Sequence, residues 1–352
     1  MKKYRIKTAI VILNWNGKKY LEKFLPSVIK FSQGEDIAIV VADNGSTDNS
    51  VSFVQKSFPD VQLILFDKNY GFTGGYNKAL EQVDSEYFVL LNSDVEVTEN
   101  WIDQIIKMMD SDNLIAAAMP KIRSYEKQCS FEYAGASGGF IDKFGYPFCR
   151  GRIISIIEED VGQYDTVEDV FWASGAAMFI RADLYKETGG LDNDFFAHME
   201  EIDLCWRLKN MGYRIVVNPK SVVYHVGGGT LPNNSSKKIF LNYRNNLLLL
   251  LKNLPKKNII PIIFSRLMLD GLSGFIYLVS FKFDFFFAVI KAHFSFYGKI
   301  SRTFKKRKPD LNKKHKEIYN QSIVFDYFIK KKDTFNKLKM TFEHPQDFKT
   351  SD

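Results

Sequence analysis

The sequence predicts an α/β fold: a mostly parallel central sheet with helices on both faces, followed by a helical C-terminal tail. The first observation behind this prediction is that residues 1–120 alternate short apolar runs with amphipathic stretches. The second is that the chain becomes rich in Leu, Ile, Phe, Lys and Arg from Lys237 onward. With 352 residues, 45% of them hydrophobic, the chain is long enough to bury a substantial core.

The apolar runs and the amphipathic stretches define the individual elements. We predict strands at Ala9–Leu13, Ile37–Ala42, Val61–Phe66, Tyr87–Leu91 and Ile115–Met119, and helices at Lys18–Phe31, Thr47–Ser57, Thr73–Val83 and Glu99–Met109. Regular alternation of strands and helices favours a parallel sheet. In such sheets, ligands bind beyond the carboxyl ends of the strands.

The middle of the chain is less regular. Residues 121–170 are rich in glycine and aromatic residues, which predicts short hairpins or a flexible loop. The chain then predicts a strand at Val170–Ile180, a helix at Glu200–Met211, and strands at Tyr213–Val217 and Val222–His225. The run Gly227-Gly228-Gly229 predicts a mobile loop. We therefore expect one domain at residues 1–236.

Charge separates this domain from the tail, residues 237–352. Residues 1–236 contain 24 Lys and Arg against 32 Asp and Glu, a net charge of about −8. The tail contains 24 against 9, a net charge of about +15. A basic tail favours a polyanionic partner, either nucleic acid or anionic lipid head groups.

The cysteines and the apolar segments bear on the cellular setting. Cys129, Cys149 and Cys205 are scattered and form no C-x-x-C pair, which fits a reducing compartment. No segment reaches the roughly 18 uncharged apolar residues of a membrane-spanning helix. We therefore expect a cytoplasmic protein that contacts a membrane only at its surface.

Polar residues follow three of the predicted strands. Asp43, after the second strand, is placed to accept hydrogen bonds from a nucleoside. Gly74 and Gly75, after the third, allow a ligand to approach the backbone at the start of a helix, where N–H groups favour phosphate. Asn92-Ser93-Asp94, after the fourth, places oxygen ligands where a hard divalent ion could bind. Ordinary turns and helix caps are the alternative interpretation of each.

Three carboxylates within four residues form the most distinctive run, Glu200-Glu201-Ile202-Asp203. One of them could act as a general base on a sugar hydroxyl. Alternatively, acidic residues in the first turn of a helix simply complement its dipole. Glu200, Asp203 and Arg207 share one helical face by their spacing, whereas Glu201 points elsewhere. His225, at the end of a strand, is either a metal ligand or a structural histidine.

Taken together, these motifs resemble the family 2 glycosyltransferases, especially bacterial rhamnosyltransferase-like members, over about residues 8–250. The resemblance lies in the order of seven motifs: Asn14-Trp15-Asn16-Gly17, Asp43-Asn44-Gly45-Ser46, Asn69-Tyr70-Gly71-Phe72 with Gly74-Gly75-x-Asn77, Asn92-Ser93-Asp94, Trp172-Ala173-Ser174-Gly175-Ala176, Glu200-Glu201-x-Asp203, and His225. It implies a GT-A fold for residues 1–236, with nucleotide-sugar and acceptor binding in that domain.

The resemblance also implies roles for single residues. Glu201 would be the catalytic base, with Glu200 as its substitute, and Asp94 would hold a divalent metal, Mn²⁺ or Mg²⁺, with His225 completing the metal shell. The remaining predicted site residues are Asn14, Asp43, Gly74, Gly75, Asn77 and Asn92 for the donor, and Trp172, Gly175 and Asp203 for the sugar and acceptor pocket. Asn92 stands where the family's D-x-D motif has its first Asp, and Glu201 stands where the family usually has Asp.

The function implied is an inverting glycosyltransferase of cell-surface polysaccharide synthesis. It would move a sugar from dTDP-rhamnose or a UDP-sugar to a glycan or lipid-linked acceptor. The basic tail would hold it at the inner face of the cell membrane, or would instead form a helical cap on the domain or an oligomer interface. No nucleic acid is expected as partner. The alternatives are a nucleotidyltransferase, which would normally show a glycine-rich phosphate loop after the first strand, and a non-catalytic nucleic-acid-binding protein, suggested by the Lys-rich segment at residues 305–316.

Overall fold

The computed structural model describes residues 6–227, 235–308 and 315–340. Up to residue 124, strands and helices alternate: β1 (Ile6–Asn14), α1 (Lys18–Phe31), β2 (Ile37–Asp43), α2 (Ser50–Ser57), β3 (Gln62–Leu65), α3 (Gly71–Leu80), β4 (Ser85–Asn92), β5 (Val95–Val97), α4 (Asp103–Ser111) and β6 (Ile115–Ser124). β1 and β4 are almost wholly buried, as expected for central strands covered on both faces. In α1, the buried residues Leu21, Phe24, Leu25 and Val28 follow the helical period and face the core.

Short strands follow up to residue 181, and then longer helices. These elements are β7 (Gly139–Asp142), β8 (Pro147–Cys149), β9 (Arg152–Ile153), β10 (Ile156–Ile157), β11 (Glu168–Asp169), β12 (Ala177–Arg181), α5 (Ala182–Glu187), α6 (Glu200–Met211), β13 (Arg214–His225), α7 (Ser236–Asn253), α8 (Lys256–Val279), α9 (Phe283–Lys305), β14 (Ile318–Tyr319) and α10 (Ile323–Phe328), with a 3₁₀ turn at Phe335–Leu338.

The main sheet has the strand order β11-β13-β6-β12-β4-β1-β2-β3, and β5 pairs with β13. β1 pairs in parallel with both β2 and β4. The chain therefore adds β2 and β3 on one side of β1 and returns to place β4 on the other side. Ligands of open α/β sheets bind in the crevice that forms at such a reversal, outside the carboxyl ends of the strands.

The other side of the sheet is mixed, and the irregular middle of the chain forms a second sheet. β12 runs antiparallel to both β4 and β6, whereas β13 runs parallel to β6. The second sheet has the order β10-β9-β8-β7-β14. Because β14 belongs to the tail, the C-terminal part of the chain packs back onto the residues that we expected to be loop or hairpin.

Most predicted elements are confirmed with small shifts at their ends, and two differ in kind. The expected strands Tyr213–Val217 and Val222–His225 form the single strand β13, with a register shift between Asn218 and Val222 that accommodates Pro219. The expected strand Val170–Ile180 is reduced to β12, because residues 172–176 leave the ladder. Of the predicted glycine loop, Gly228 and Gly229 lie outside the described residues.

The tail contains two kinds of helix. α7 is buried along its second half, including every residue from Leu247 to Leu251, and it packs against the domain that precedes it. α8 and α9 form a hairpin with extensive exposed apolar surface. In the described part of the chain, α8 is the one helix long and apolar enough to cross a membrane, which by itself is weak evidence that it does. The domain boundary at residue 236 stays a prediction.

Candidate active site

The carboxyl ends of three parallel strands meet at one edge of the sheet. Asn14 pairs with Asp43 across β1 and β2, and Leu13 pairs with Asn92 across β1 and β4. The strand-end residues predicted for donor binding are thus neighbours, although up to 78 positions separate them in sequence. The edge continues to the residue before β12, because the backbone N–H of Asn92 donates to the carbonyl of Ala176 at 3.0 Å.

Asp43 is held by its neighbours at this edge. Its Oδ1 accepts from Asn14 Nδ2 at 2.9 Å, and its Oδ2 accepts from the backbone N–H of Ser46 at 2.9 Å. Asn14 Nδ2 also donates to Ser46 Oγ at 3.2 Å, and Asn14 Oδ1 has no hydrogen-bond partner. These contacts orient the Asp43 carboxylate and leave acceptor capacity on both of its oxygens.

Asp94 lies just beyond β4 and contacts the histidine at the end of β13. His225 Nε2 is 3.1 Å from Asp94 Oδ1, and His225 Nδ1 is 3.5 Å from Glu132 Oε2. Burial disfavours a charged imidazole, but Glu132 and Asp94 outweigh it and raise the pKa of His225 to about 10. Burial likewise works against the ionised form of Asp94, yet His225 lowers the pKa of that carboxyl. The pair is therefore an ion pair in this structure.

The glycine segment at the start of α3 is packed tightly. A Cβ on Gly75 would lie 2.7 Å from Leu13 Cδ1 and 2.9 Å from Asn44 Nδ2, so a larger residue there would force these side chains to move. Gly74 would meet Tyr70 Cβ at 3.1 Å. The carbonyl of Phe196 accepts from the N–H groups of Phe72 and Thr73. Two of the N–H groups predicted to face phosphate are therefore bound within the chain.

Glu200 and Glu201 open α6 beside the same edge. A Cβ on Gly175 would lie 4.0 Å from Glu201 Cβ, and Gly175 directly precedes Ala176, whose carbonyl binds β4. Glu200 Oε2 and Glu201 Oε2 are buried without a hydrogen-bond partner. Buried carboxylate oxygens are normally paired, so two adjacent exceptions favour a site at which a substrate supplies the partner.

Burial also changes how this pair titrates. Burial raises the pKa of Glu201 to about 7. For Glu200, burial and then the neighbouring Glu201 carboxylate raise the pKa well above the ordinary glutamate value. A carboxyl group with a pKa near the working pH is suited to accept and release a proton.

Comparison with known proteins shows which proteins this chain is similar to. Residues 9–161 match the sequence model described as glycosyl transferase family 2. An N-acetylglucosaminyl-diphospho-decaprenol L-rhamnosyltransferase of Mycobacterium tuberculosis is 24% identical over 234 residues, which cover 61% of this chain and 75% of the relative. The rhamnosyltransferase WbbL of Escherichia coli is 24% identical over 223 residues, covering 61% and 82%. Residues 9–161 thus match family 2 of the glycosyltransferases, and the protein is a glycosyltransferase.

Solved structures identify the fold of this glycosyltransferase. Residues 1–349 of TarS from S. aureus in complex with UDP-GlcNAc superpose with a TM-score of 0.53 at 14% identity, covering 85% of this chain and 91% of that one. The mannosyltransferase PcManGT from Pyrobaculum calidifontis in complex with GDP-Man and Mn²⁺ gives 0.51 at 14% identity, covering 85% and 76%. The glycosyltransferase has a GT-A fold, as the resemblance implied.

Three residues predicted for the site use their side chains in contacts with other parts of the protein. Asp203 is fully buried between α6 and α7 in contact with Arg207, Lys252 and Asn253. Trp172 is 3% exposed, packs on Gly139, and donates from its indole N–H to the carbonyl of Phe140. The side chain of Asn77 binds Leu191 and Tyr185, tying α3 to the segment before α6.

Glu132 lies next to His225 and was not among the predicted residues. It is 6% exposed, faces His225, and sits 2.8 Å from where a Cβ on Gly227 would lie. Its segment, residues 121–170, has no regular pattern, so the sequence contains no periodicity that could place it. The one available signal is an acidic residue inside an apolar and glycine-rich stretch.

The residues beyond β4 fit a divalent cation in part. Asp94 offers a buried, ionised carboxylate, which is a ligand that Mn²⁺ and Mg²⁺ favour. Among the described residues, no group of three or more His, Cys, Asp or Glu is arranged to hold a metal ion. Mg²⁺ is usually held by one or two carboxylates together with substrate phosphates and water. A cation bound through Asp94 would thus need oxygens from a bound diphosphate.

Proposed function

We propose that the protein is an inverting glycosyltransferase that uses a nucleotide-sugar donor, with Glu201 as the catalytic base. The observation that carries this proposal is Glu201 Oε2, a buried carboxylate oxygen without a hydrogen-bond partner, beside Gly175 near the sheet edge where β2 ends in Asp43. A nucleotide sugar laid across the strand ends would bring its anomeric carbon towards α6.

The proposed reaction is a single displacement. Glu201 accepts the proton of the acceptor hydroxyl while that oxygen forms a bond to the anomeric carbon. The bond from that carbon to the diphosphate oxygen breaks, and the nucleoside diphosphate leaves with the electron pair. Attack and departure occur on opposite faces of the sugar, so the anomeric configuration inverts. A divalent cation, when bound, supplies positive charge to the leaving diphosphate.

The remaining residues act on the donor. Asp43, oriented by Asn14, accepts hydrogen bonds from the nucleoside, and Asp94 would hold a cation that supplies positive charge to the leaving diphosphate. The relatives named as rhamnosyltransferases support dTDP-rhamnose as a donor. UDP-sugars are the second candidate donors, because TarS binds UDP-GlcNAc. The name of the mycobacterial relative supports a lipid-linked acceptor. We place the reaction in polysaccharide synthesis at the inner face of the cell membrane.

A nucleotide-sugar panel tests this proposal. The purified protein is incubated with dTDP-rhamnose and UDP-sugars in Mn²⁺, and release of nucleoside diphosphate is measured. We expect release from one donor, loss of release in EDTA, and loss of Mn²⁺-dependent nucleoside diphosphate binding by Asp94→Ala in calorimetry. No release from any donor, with or without added lipid-linked acceptors, would contradict the proposed activity.

We also propose that α8 and α9 rest on an anionic lipid surface. In α8, Arg266 Nε donates to Asp270 Oδ1 at 2.8 Å, and both charged side chains are buried in the protein. The exposed apolar residues form stripes at helical spacing: Ile260, Phe264, Met268, Leu272, Phe275 and Val279 on α8, and Phe283, Phe287, Phe294 and Phe304 on α9. Contiguous apolar surface with nearby Lys and Arg is typical of helices that lie in a membrane interface.

Flotation on liposomes containing anionic phosphatidylglycerol tests the membrane proposal. We expect the full chain to float and the triple variant Phe264→Ser, Phe275→Ser, Phe287→Ser to stay in solution. The matched control is Leu65→Ser, Leu114→Ser, Val161→Ser, which removes exposed apolar residues outside the hairpin. Equal flotation of both variants would contradict the proposal, as would a wild-type chain that forms a dimer through this surface and does not float.

A further inference from the structure

The turn that precedes the two glutamates is strained. Phe196, His198 and Met199 have φ angles of 66°, 69° and 72°, in the left-handed region that non-glycine residues rarely adopt. Met199 is the residue immediately before α6, so this turn sets the direction in which Glu200 and Glu201 leave the backbone. A strained turn next to a functional site persists only when the surrounding structure holds it.

One side chain of α7 holds most of this turn. Asn245 Nδ2 donates to the carbonyls of Phe195 at 2.9 Å, Ala197 at 2.8 Å and His198 at 2.8 Å. Asn245 is fully buried, and its Oδ1 accepts from Arg244 Nε at 2.9 Å, which fixes the orientation of the amide. Three carbonyls from a single turn therefore converge on one amide group.

Arg244 and α3 complete the support. Arg244 Nη2 donates to the carbonyls of Asp194 at 3.1 Å and Phe195 at 3.0 Å. From the opposite side, the carbonyl of Phe196 accepts from two N–H groups of α3. The turn is thus held between the glycine segment proposed to face the donor and the first helix of the tail.

We propose that Asn245, assisted by Arg244, is a positioning residue that holds the turn at residues 195–199 so that Glu200 and Glu201 face the reacting groups. The effect on catalysis rests on the proposed function. The support of the turn rests on the hydrogen bonds alone. It makes α7 a part of the catalytic centre, whereas α8 and α9 serve as the membrane-facing part of the tail.

The test compares Asn245→Ala with Asn246→Ala. Asn246 is the next residue of α7, is 1% exposed, and donates instead to the carbonyl of Gly145 at 2.5 Å. The two substitutions therefore remove the same buried amide at adjacent positions. Hydrogen exchange of the peptide covering residues 195–203 and steady-state kinetics with the donor found in the panel are the two readouts.

We expect Asn245→Ala to speed exchange in that peptide and to lower kcat by about 10- to 100-fold, the scale of a small misplacement of catalytic groups, with little change in the donor KM. Asn246→Ala should leave both nearly unchanged. If Asn245→Ala does not fold, Arg244→Gln, which retains Asn245, provides the same comparison.

Unchanged exchange at residues 195–203 in Asn245→Ala would overturn the proposal, as would equal losses of kcat in the two alanine variants. The exchange measurement needs no substrate. If the wild-type protein released no nucleotide from any donor, the proposed function would fail while exchange still tested the support of the turn.

Discussion

Glu201 and Asp203 lie two residues apart on α6, both in buried surroundings. The protein raises the pKa of one carboxyl group and lowers the pKa of the other. Burial raises the pKa of Glu201 to about 7, and one of its oxygens has no partner. Burial works in the same direction on Asp203, but Arg207 and Lys252 outweigh it and lower the pKa of that carboxyl. Asp203 Oδ1 also accepts from Asn253 Nδ2 at 2.9 Å.

The difference shows that the partners of a buried carboxylate, rather than its burial, indicate its role. Asp203 joins α6 to α7 through charges that have already been satisfied within the fold. Glu201 is left unsatisfied at a cost in stability, which is expected where a substrate completes the site. Substitution of Glu201 should therefore mainly lower activity, and substitution of Asp203 should mainly lower stability.

The largest expected effect is on the rate of Glu201→Gln. Glutamine keeps the shape of the side chain and cannot accept a proton, so the rate of nucleoside diphosphate release in the presence of acceptor should fall by about 10²–10⁴-fold. Donor affinity, measured by calorimetry, should be largely kept. Turnover close to that of the wild-type protein would eliminate Glu201 as the base and direct attention to Glu200.

Asp203→Ala should act on stability instead. The substitution leaves Arg207 without its carboxylate partner and Lys252 with Asp192 alone. Breaking a buried ion pair by removing one partner typically costs about 3–5 kcal/mol. The measurement is urea unfolding followed by circular dichroism. Asp333→Ala is a matched control, because Asp333 forms an ion pair with Lys337 at the same i,i+4 spacing but is exposed, and its loss should change stability little. Equal unfolding midpoints for the two variants would contradict the structural role of Asp203.

The smallest expected effect is a pH-dependent gain of stability in Glu201→Gln. Because the pKa of Glu201 is about 7 in the folded protein and near 4.5 when unfolded, the folded state retains a proton that the unfolded state releases between these values. Wild-type stability should therefore fall, relative to Glu201→Gln, as the pH rises from 5 to 8, by about 1–3 kcal/mol. Urea unfolding at both pH values measures this difference, and a constant difference would argue against a raised pKa.

Local patterns in the sequence predict much of the sheet and part of the site. α1 and α6 are predicted with their observed bounds, because apolar residues recur at the helical period in α1 and the acidic first turn begins at Glu200 in α6. The neighbouring positions of Asn14, Asp43 and Asn92 follow from parallel pairing of apolar runs. Grouping Asp203 and Arg207 on one helical face also anticipates their ion pair.

Long-range contacts account for what the sequence could not predict. The partners of Asp203 on α7 are 49 and 50 positions away, and Asn245 reaches carbonyls 47 to 50 positions earlier in the chain. Glu132 reaches His225 from a segment without periodicity. No local pattern encodes such contacts, so a carboxylate that completes the core cannot be told from one that awaits a substrate.

The pH dependence of kcat/KM for the donor found in the panel tests the central claim most directly. A base with a pKa of about 7 must be ionised to act, so kcat/KM should rise about tenfold per pH unit below 7 and level off above it. In Glu201→Gln, this rise should disappear from the residual activity. An inflection near 4.5 in the wild-type protein, or a rise that persists unchanged in Glu201→Gln, would contradict the assignment of Glu201 as the catalytic base.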